Sequence, residues 1–156
     1  MSKYAASTSV SPERSRAEIE HILSRYGAKQ FAYGWGSTGA MIGFQYQNRL
    51  IRFSLSFSDP KELRTPKGRR PRNLATAHEQ VTRQQWRALS LAIKAKLELV
   101  ESGITTFEQE FLAHVVLPDG RTVGEWASPQ LEMIYSNRNM PPLLPGAQIE
   151  NGENQN

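Results

Sequence analysis

Cysteine is absent from the 156-residue chain, which excludes a disulfide framework, a thiolate zinc site and a cysteine nucleophile. Aspartate is nearly absent: Asp59 and Asp119 are the only two, and beside three histidines they leave little material for metal-dependent hydrolysis. No apolar run approaches the roughly 18–20 residues of a membrane span. The opening MSKYAASTSVSP lacks the apolar stretch of a signal peptide, so the expectation is a cytoplasmic protein with no membrane partner. A glycine-rich phosphate loop with lysine, a Gly-x-Ser-x-Gly elbow and a His-x-x-x-His pair are also missing. GWGSTGAMIG has the glycines of a nucleotide loop, but its strand-turn-strand pattern contradicts the strand-to-helix context such a loop needs. No catalytic residue, metal site or cofactor emerges, and a small enzyme would need a nucleophile or carboxylate cluster that the chain does not display.

What is present is charge, unevenly placed. Nineteen basic residues against fifteen acidic ones give +4 overall. The balance is +4 over residues 1–58, +4 over 59–72, +2 over 73–100 and −6 over 101–156. A chain basic for its first hundred residues and acidic afterwards points to an anionic partner, nucleic acid first among them.

The period of the apolar residues then places the charges on elements. Ser11-Pro12-Glu13 is a helix start, Ile19, Ile22, Leu23 and Tyr26 recur at helical spacing, and Gly27 is a stop, giving a helix over about 12–26. From Lys29 the period becomes two. Turns at Ser37-Thr38 and Gln47-Asn48 join three runs, pairing Trp35 with Ala40, Tyr33 with Ile42 and Phe31 with Phe44, then Phe44 with Ile51 and Ile42 with Phe53. Both turns place the same residues on one face, as a register must. The other face carries Gln30, Ala32, Gly34, Met41, Gly43, Gln45, Leu50, Arg52, Ser54 and Ser56. It reads either as a surface another backbone or ligand approaches or as one that is solvated or covered by a later helix.

Thr76 and Glu79 have capping-box spacing and predict a helix running to Gly103. Trp86, Leu89, Ile93, Leu97 and Val100 share one of its faces; Val81, Ala88, Leu91, Ala95 and Leu99 share a second, so it should pack on two sides. Thr105 with Glu108 predicts a short helix through Phe107 and Phe111, Pro118-Asp119-Gly120 a turn, and Thr122 with Glu125 a last helix that Pro129 would kink or divide. The fold class is α+β: N-terminal helix, three-stranded antiparallel meander, long basic loop, long central helix, short C-terminal helices. Residues 11–139 form one domain, residues 1–10 a flexible N-terminus, and 140–156 a proline-rich segment followed by a disordered polar tail.

The strongest functional signal lies in residues 58–75, SDPKELRTPKGRRPRNLA, where three prolines, one glycine and the cations Lys61, Arg64, Lys67, Arg69, Arg70 and Arg72 make a mobile loop that cannot pack a core. Arginine presents a fork matched to phosphate oxygens, and proline keeps such a loop extended. Arg64, Lys67, Arg69, Arg70 and Arg72 are therefore the first phosphate contacts. Arg83, Arg87 and Lys94 fall within about 40° of one another on the long helix at 100° per residue, and with Arg52 they extend the track. Stacking is the second ingredient of single-strand binding. Phe31, Tyr33, Trp35, Phe44 and Tyr46 alternate onto the inward face, which favours core packing, although Tyr33, Trp35 and Tyr46 lie near strand ends. Trp86 reads as core. Glu110 and His114, four apart, lack a third metal ligand nearby.

ILSRYGAKQFAYGW and QWRALSLAIKAKLELVESGITTFEQEFLAHVVLPDGRTVGEW resemble small proteins encoded by phages, prophages and plasmids, over roughly residues 12–146. The resemblance implies a mobile-element protein and brings no catalytic residues with it. The element order is also that of the double-stranded RNA-binding domain and is similar to the core of phage single-strand annealing proteins of the Red-beta and Erf type. Against the former, the long helix opens Thr76-Ala77-His78-Glu79 rather than Ser-Lys-Lys-x-Ala-Lys, which counts against A-form recognition. The expected function is nonenzymatic binding of nucleic acid, single-stranded DNA foremost, in recombination or replication, with homo-oligomerisation to present a continuous groove. The acidic C-terminal part would meet a neighbour's basic half or recruit a replication protein. The alternative is an accessory factor that docks the same loop on an acidic host protein.

Overall fold

The computed structural model describes residues 7–36, 38–57, 67–69 and 72–138. Helix α1 spans Pro12–Arg25. Its start is set by Ser11, whose hydroxyl accepts from the Arg14 amide at 3.2 Å, by Pro12 at the first helical position and by Glu13 near the positive end of the helix dipole. Part of the expected flexible N-terminus is tied down: the Thr8 carbonyl accepts from Gln80 Nε2 at 3.2 Å.

Strands β1 (Lys29–Trp35), β2 (Gly39–Tyr46) and β3 (Arg49–Ser56) form an antiparallel meander in chain order. The register pairs Trp35 with Ala40 and Tyr33 with Ile42, then Ile42 with Phe53 and Phe44 with Ile51, as the alternation requires. One departure lies between Lys29 and Ala32, where the ladder slips and Lys29 faces Gln45. Gln30, at φ +54°, absorbs the extra residue, and Phe31 still reaches the core side, its ring centroid 5.8 Å from that of Phe44. β2 must begin with glycine, since a Cβ at Gly39 would lie 2.6 Å from the Leu55 carbonyl oxygen.

Helix α2 spans Leu74–Glu101. Asn73, not the expected Thr76, is its cap: the Asn73 side-chain oxygen accepts from the Thr76 amide at 3.2 Å. Trp86, Leu89, Ile93 and Leu97 are buried against the sheet and α1. The expected second packing face is not covered, because the later helices collect elsewhere. Ala95 and Leu99 are exposed, and Val81, Ala88 and Leu91 are only partly buried.

The chain closes with α3 (Phe107–Phe111), a 3-10 turn (Leu112–His114) and α4 (Val123–Asn137). The capping box of α3 is Thr106 with Gln109, one position later than the Thr105–Glu108 pair expected. That of α4 is Thr122 with Glu125, as expected. α4 runs undivided through Pro129, with Ser128 Oγ and Gln130 Nε2 donating to the Gly124 and Trp126 carbonyls on either side. Val115 bridges Ile51, and the Val116 amide donates to the Leu50 carbonyl at 2.8 Å, so this segment covers the outer edge of β3. Phe111 completes the core, edge-on to both Phe44 and Phe53. Each such buried side chain contributes about 1.5–3 kcal/mol, which is what holds the helices to one face of the sheet. On the other face Met41, Ser54 and Ser56 remain exposed.

Candidate nucleic-acid interface

Most of the basic segment lies between Phe57 and Asn73, and tertiary contacts hold the described residues that flank it close together. The Phe57 amide donates to the Thr38 carbonyl at 2.8 Å, and the Phe57 ring meets the His78 ring edge-on at 6.0 Å. The first turns of α2 therefore lie beside the β1–β2 hairpin. Lys67, Arg69 and Arg72 are exposed, and among the described residues Lys67 and Arg72 meet no carboxylate. Lys61, Arg64 and Arg70 lie outside the described residues, as do the Ser37 position of the first turn, most of the loop expected to be mobile and the C-terminal tail. The first turn of α2 carries no acidic residue, so the positive end of its dipole adds to the potential here.

The cationic stripe on α2 is broken in the middle. Arg87 donates to Glu18 of α1 at 2.7 Å, with both side chains largely shielded. Among the described residues Arg83 and Lys94 make no ion pair, but Lys94 stands roughly 16 Å further along the helix at 1.5 Å per residue. Arg52 is also taken into the fold: it donates to the Gly120 carbonyl at 3.0 Å and to Glu125 at 3.1 Å. Arg52 and Arg87, expected as phosphate contacts, are each engaged by a carboxylate from a distant segment.

Three acids of the C-terminal part pair with the basic half of the same chain: Glu108 with Arg49, Glu110 with Lys96 and Glu125 with Arg52. Glu110 and His114 are absorbed into packing. Lys96 donates to the Glu110 carbonyl at 2.9 Å and to its carboxylate at 3.2 Å, and His114 stacks on Phe53 at 4.0 Å. Among the described residues no cluster of three metal-ligating side chains occurs, and no helix is long and apolar enough to cross a membrane.

Of the aromatic residues, Phe44 and Trp86 are buried, and Tyr46 stacks on Phe107 at 3.8 Å. Trp35 alone among the described aromatics of the sheet stands free, 76% exposed at the end of β1. Arg16 of α1 lies 5.7, 5.6 and 5.5 Å from the ring centroids of Tyr33, Trp35 and Trp86. A guanidinium among three π faces is held by their quadrupoles, and in return it fixes the exposed indole. Tyr33 is anchored in turn by donating to Glu20 at 2.9 Å; burial, then that carboxylate, hold its phenol above the ordinary value of 10. Arg16 escaped the sequence reading. Its signal was positional: it continues the Ile19–Leu23 stripe by one helical turn, placing a cation where an apolar residue belongs.

Two clefts flank Trp35. One, of about 390 Å³, runs over Gly34, Gly39, Met41 and Ser56. The other, of about 320 Å³, lies between Trp35 and the opening turns of α1 and α2, walled by Phe57 and Trp86 with Arg16 inside it. No protein-family model, curated protein or solved structure matches this chain.

Proposed function

We propose that this protein binds nucleic acid without catalysing a reaction, single-stranded DNA in preference to duplex, in the recombination or replication of a phage or other mobile element. The observation that carries the reading is the exposed Trp35 indole on the same cleft as Phe57 and His78, the described residues that flank the basic segment. Phosphate-binding cations and a free aromatic face are the two components of a single-strand site. A basic segment alone would serve an acidic protein surface equally well; the adjoining aromatic platform favours bases.

Annealing needs subunits side by side, and α4 offers the surface for a second copy. None of its residues is buried, and Leu131, Met133 and Tyr135 are exposed. Mass photometry with and without oligonucleotide tests that assembly.

Anisotropy titration of a labelled single-stranded oligonucleotide across a salt series tests the binding itself. Engagement of about four phosphates gives a log–log slope near −3, and changing Arg69, Arg70 and Arg72 to glutamate removes most of the affinity. No detectable binding at low salt overturns the reading in favour of a protein partner.

A further inference from the structure

The cleft beside Trp35 is not closed at its far end. Its lining residues Pro12, Glu13, His78 and Thr82 also line a neighbouring recess of about 310 Å³ that ends at Arg83. The two form one groove between the start of α1 and the first turns of α2, with an aromatic wall at one end and an exposed-side cation at the other.

Resting on the nucleic-acid reading, we propose that this groove takes one unpaired nucleobase against Trp35, with the adjoining phosphate carried toward Arg83. The walls suit a base. Trp35, Phe57 and Trp86 supply π and apolar surface, while Thr82 and Glu13 supply polar atoms that a base edge can meet. Arg16 lines the same cleft and lies 5.6 Å from the indole centroid, a cation–π contact that favours one ring orientation and leaves the rest of the indole exposed. Preorganisation of this kind lowers the ordering cost of binding. The rim carboxylates Glu13 and Glu79 are the obstacle to phosphate. Glu13 is drawn to Arg16, 3.4 Å away, which leaves the Arg83 end of the groove as the less acidic path for the backbone. A base inside a duplex cannot enter, because its faces are covered by its neighbours and its edge by its partner. The groove therefore accounts for selection of single strands, which the basic segment by itself does not provide.

Two substitutions test the groove without touching the core. Trp35→Ala removes the platform, and Trp35 is exposed enough for the fold to survive its loss. Gly36→Leu fills the mouth, since Gly36 lines the cleft and a Cβ there meets nothing within 4 Å. Stacking of one base predicts that each variant binds a labelled oligo(dT) about 5- to 150-fold more weakly, while affinity for a blunt hairpin duplex and the Tm stay at wild-type values. Trp35→Phe keeps most of the affinity. If both variants bind the single strand like the wild type while glutamates at Arg69, Arg70 and Arg72 abolish binding, the groove proposal falls and the nucleic-acid reading stands. Equal losses for single strand and duplex also overturn the groove. A wild type with no affinity for either oligonucleotide removes both.

Discussion

Arg52 on β3 donates to Glu125 at the start of α4, 3.1 Å apart and 73 positions distant in sequence. The same carboxylate accepts from the Thr122 amide at 2.7 Å, so one side chain closes the capping box and ties the last helix to the sheet. That double use decides which cations remain for a ligand.

The first prediction separates the two roles. Arg52→Ala lowers the Tm and leaves oligonucleotide affinity unchanged, whereas Arg72→Ala does the reverse. The Glu125 carboxyl is held below its ordinary 4.5, first by the Thr122 amide and then by the Arg52 charge working against partial desolvation. A depressed carboxylate contributes stability that is present above 4.5 and lost as pH falls through the folded-state value. Glu125→Gln should flatten that acid limb in urea titrations taken from neutral pH downward.

His114 gives a second pH dependence at higher pH. Burial first, and the Lys96 charge second, hold its imidazole below the ordinary 6.5. The unfolded chain then binds a proton that the folded one refuses, so stability is full above 6.5 and declines as pH drops toward the folded-state value. NMR titration should place the His114 midpoint below 6.5. His114→Phe, which keeps a ring against Phe53, should remove this part of the decline.

Ser15 and Ser90 carry buried hydroxyls with no hydrogen-bond partner among the described residues. An unsatisfied buried hydroxyl costs about 1–3 kcal/mol, and alanine keeps the small volume. Ser15→Ala and Ser90→Ala should each raise stability by about 1 kcal/mol in denaturant titrations. A loss of stability in either variant shows that its hydroxyl is satisfied in solution.

The turn between β2 and β3 places Gln47 at φ +43° and Asn48 at φ +68°. Two successive positive values define the hairpin turn for which Asn-Gly is the favoured pair. Replacing Gln47-Asn48 by Asn-Gly should stabilise the protein by about 0.5–1 kcal/mol, a relief of left-handed strain, read as a higher Tm.

Most of the fold was legible in the residues. The meander register follows from alternation agreeing across two turns, and the Thr122–Glu125 cap from its local spacing. The missed boundaries are places where neighbouring residues compete for one role. Asn73 takes the cap of α2 ahead of Thr76, and Thr106 with Gln109 takes that of α3 ahead of Thr105 with Glu108. The slip at Gln30 left no mark, because the left-handed residue there is not glycine.

The candidate site was legible only in part. Its basic segment could be read directly, since prolines and cations in a run cannot form a core. Which cations stay available was not readable, because the partners of Arg49, Arg52 and Arg87 lie 59, 73 and 69 positions away. Trp35 reads as one more inward aromatic by alternation; it is exposed because β1 ends there and α1 presents Arg16 rather than an apolar side chain.

The sequence by itself determined the α+β element order and the sheet register, because each depends on periodicity, caps and turns within a few residues. Only the tertiary structure decided that Glu108, Glu125 and Glu110 fold back onto Arg49, Arg52 and Lys96, and that Trp35 and Arg16 line one cleft beside the recess of Arg83. Charge pairing and groove shape depend on distances across the fold, which no local pattern records.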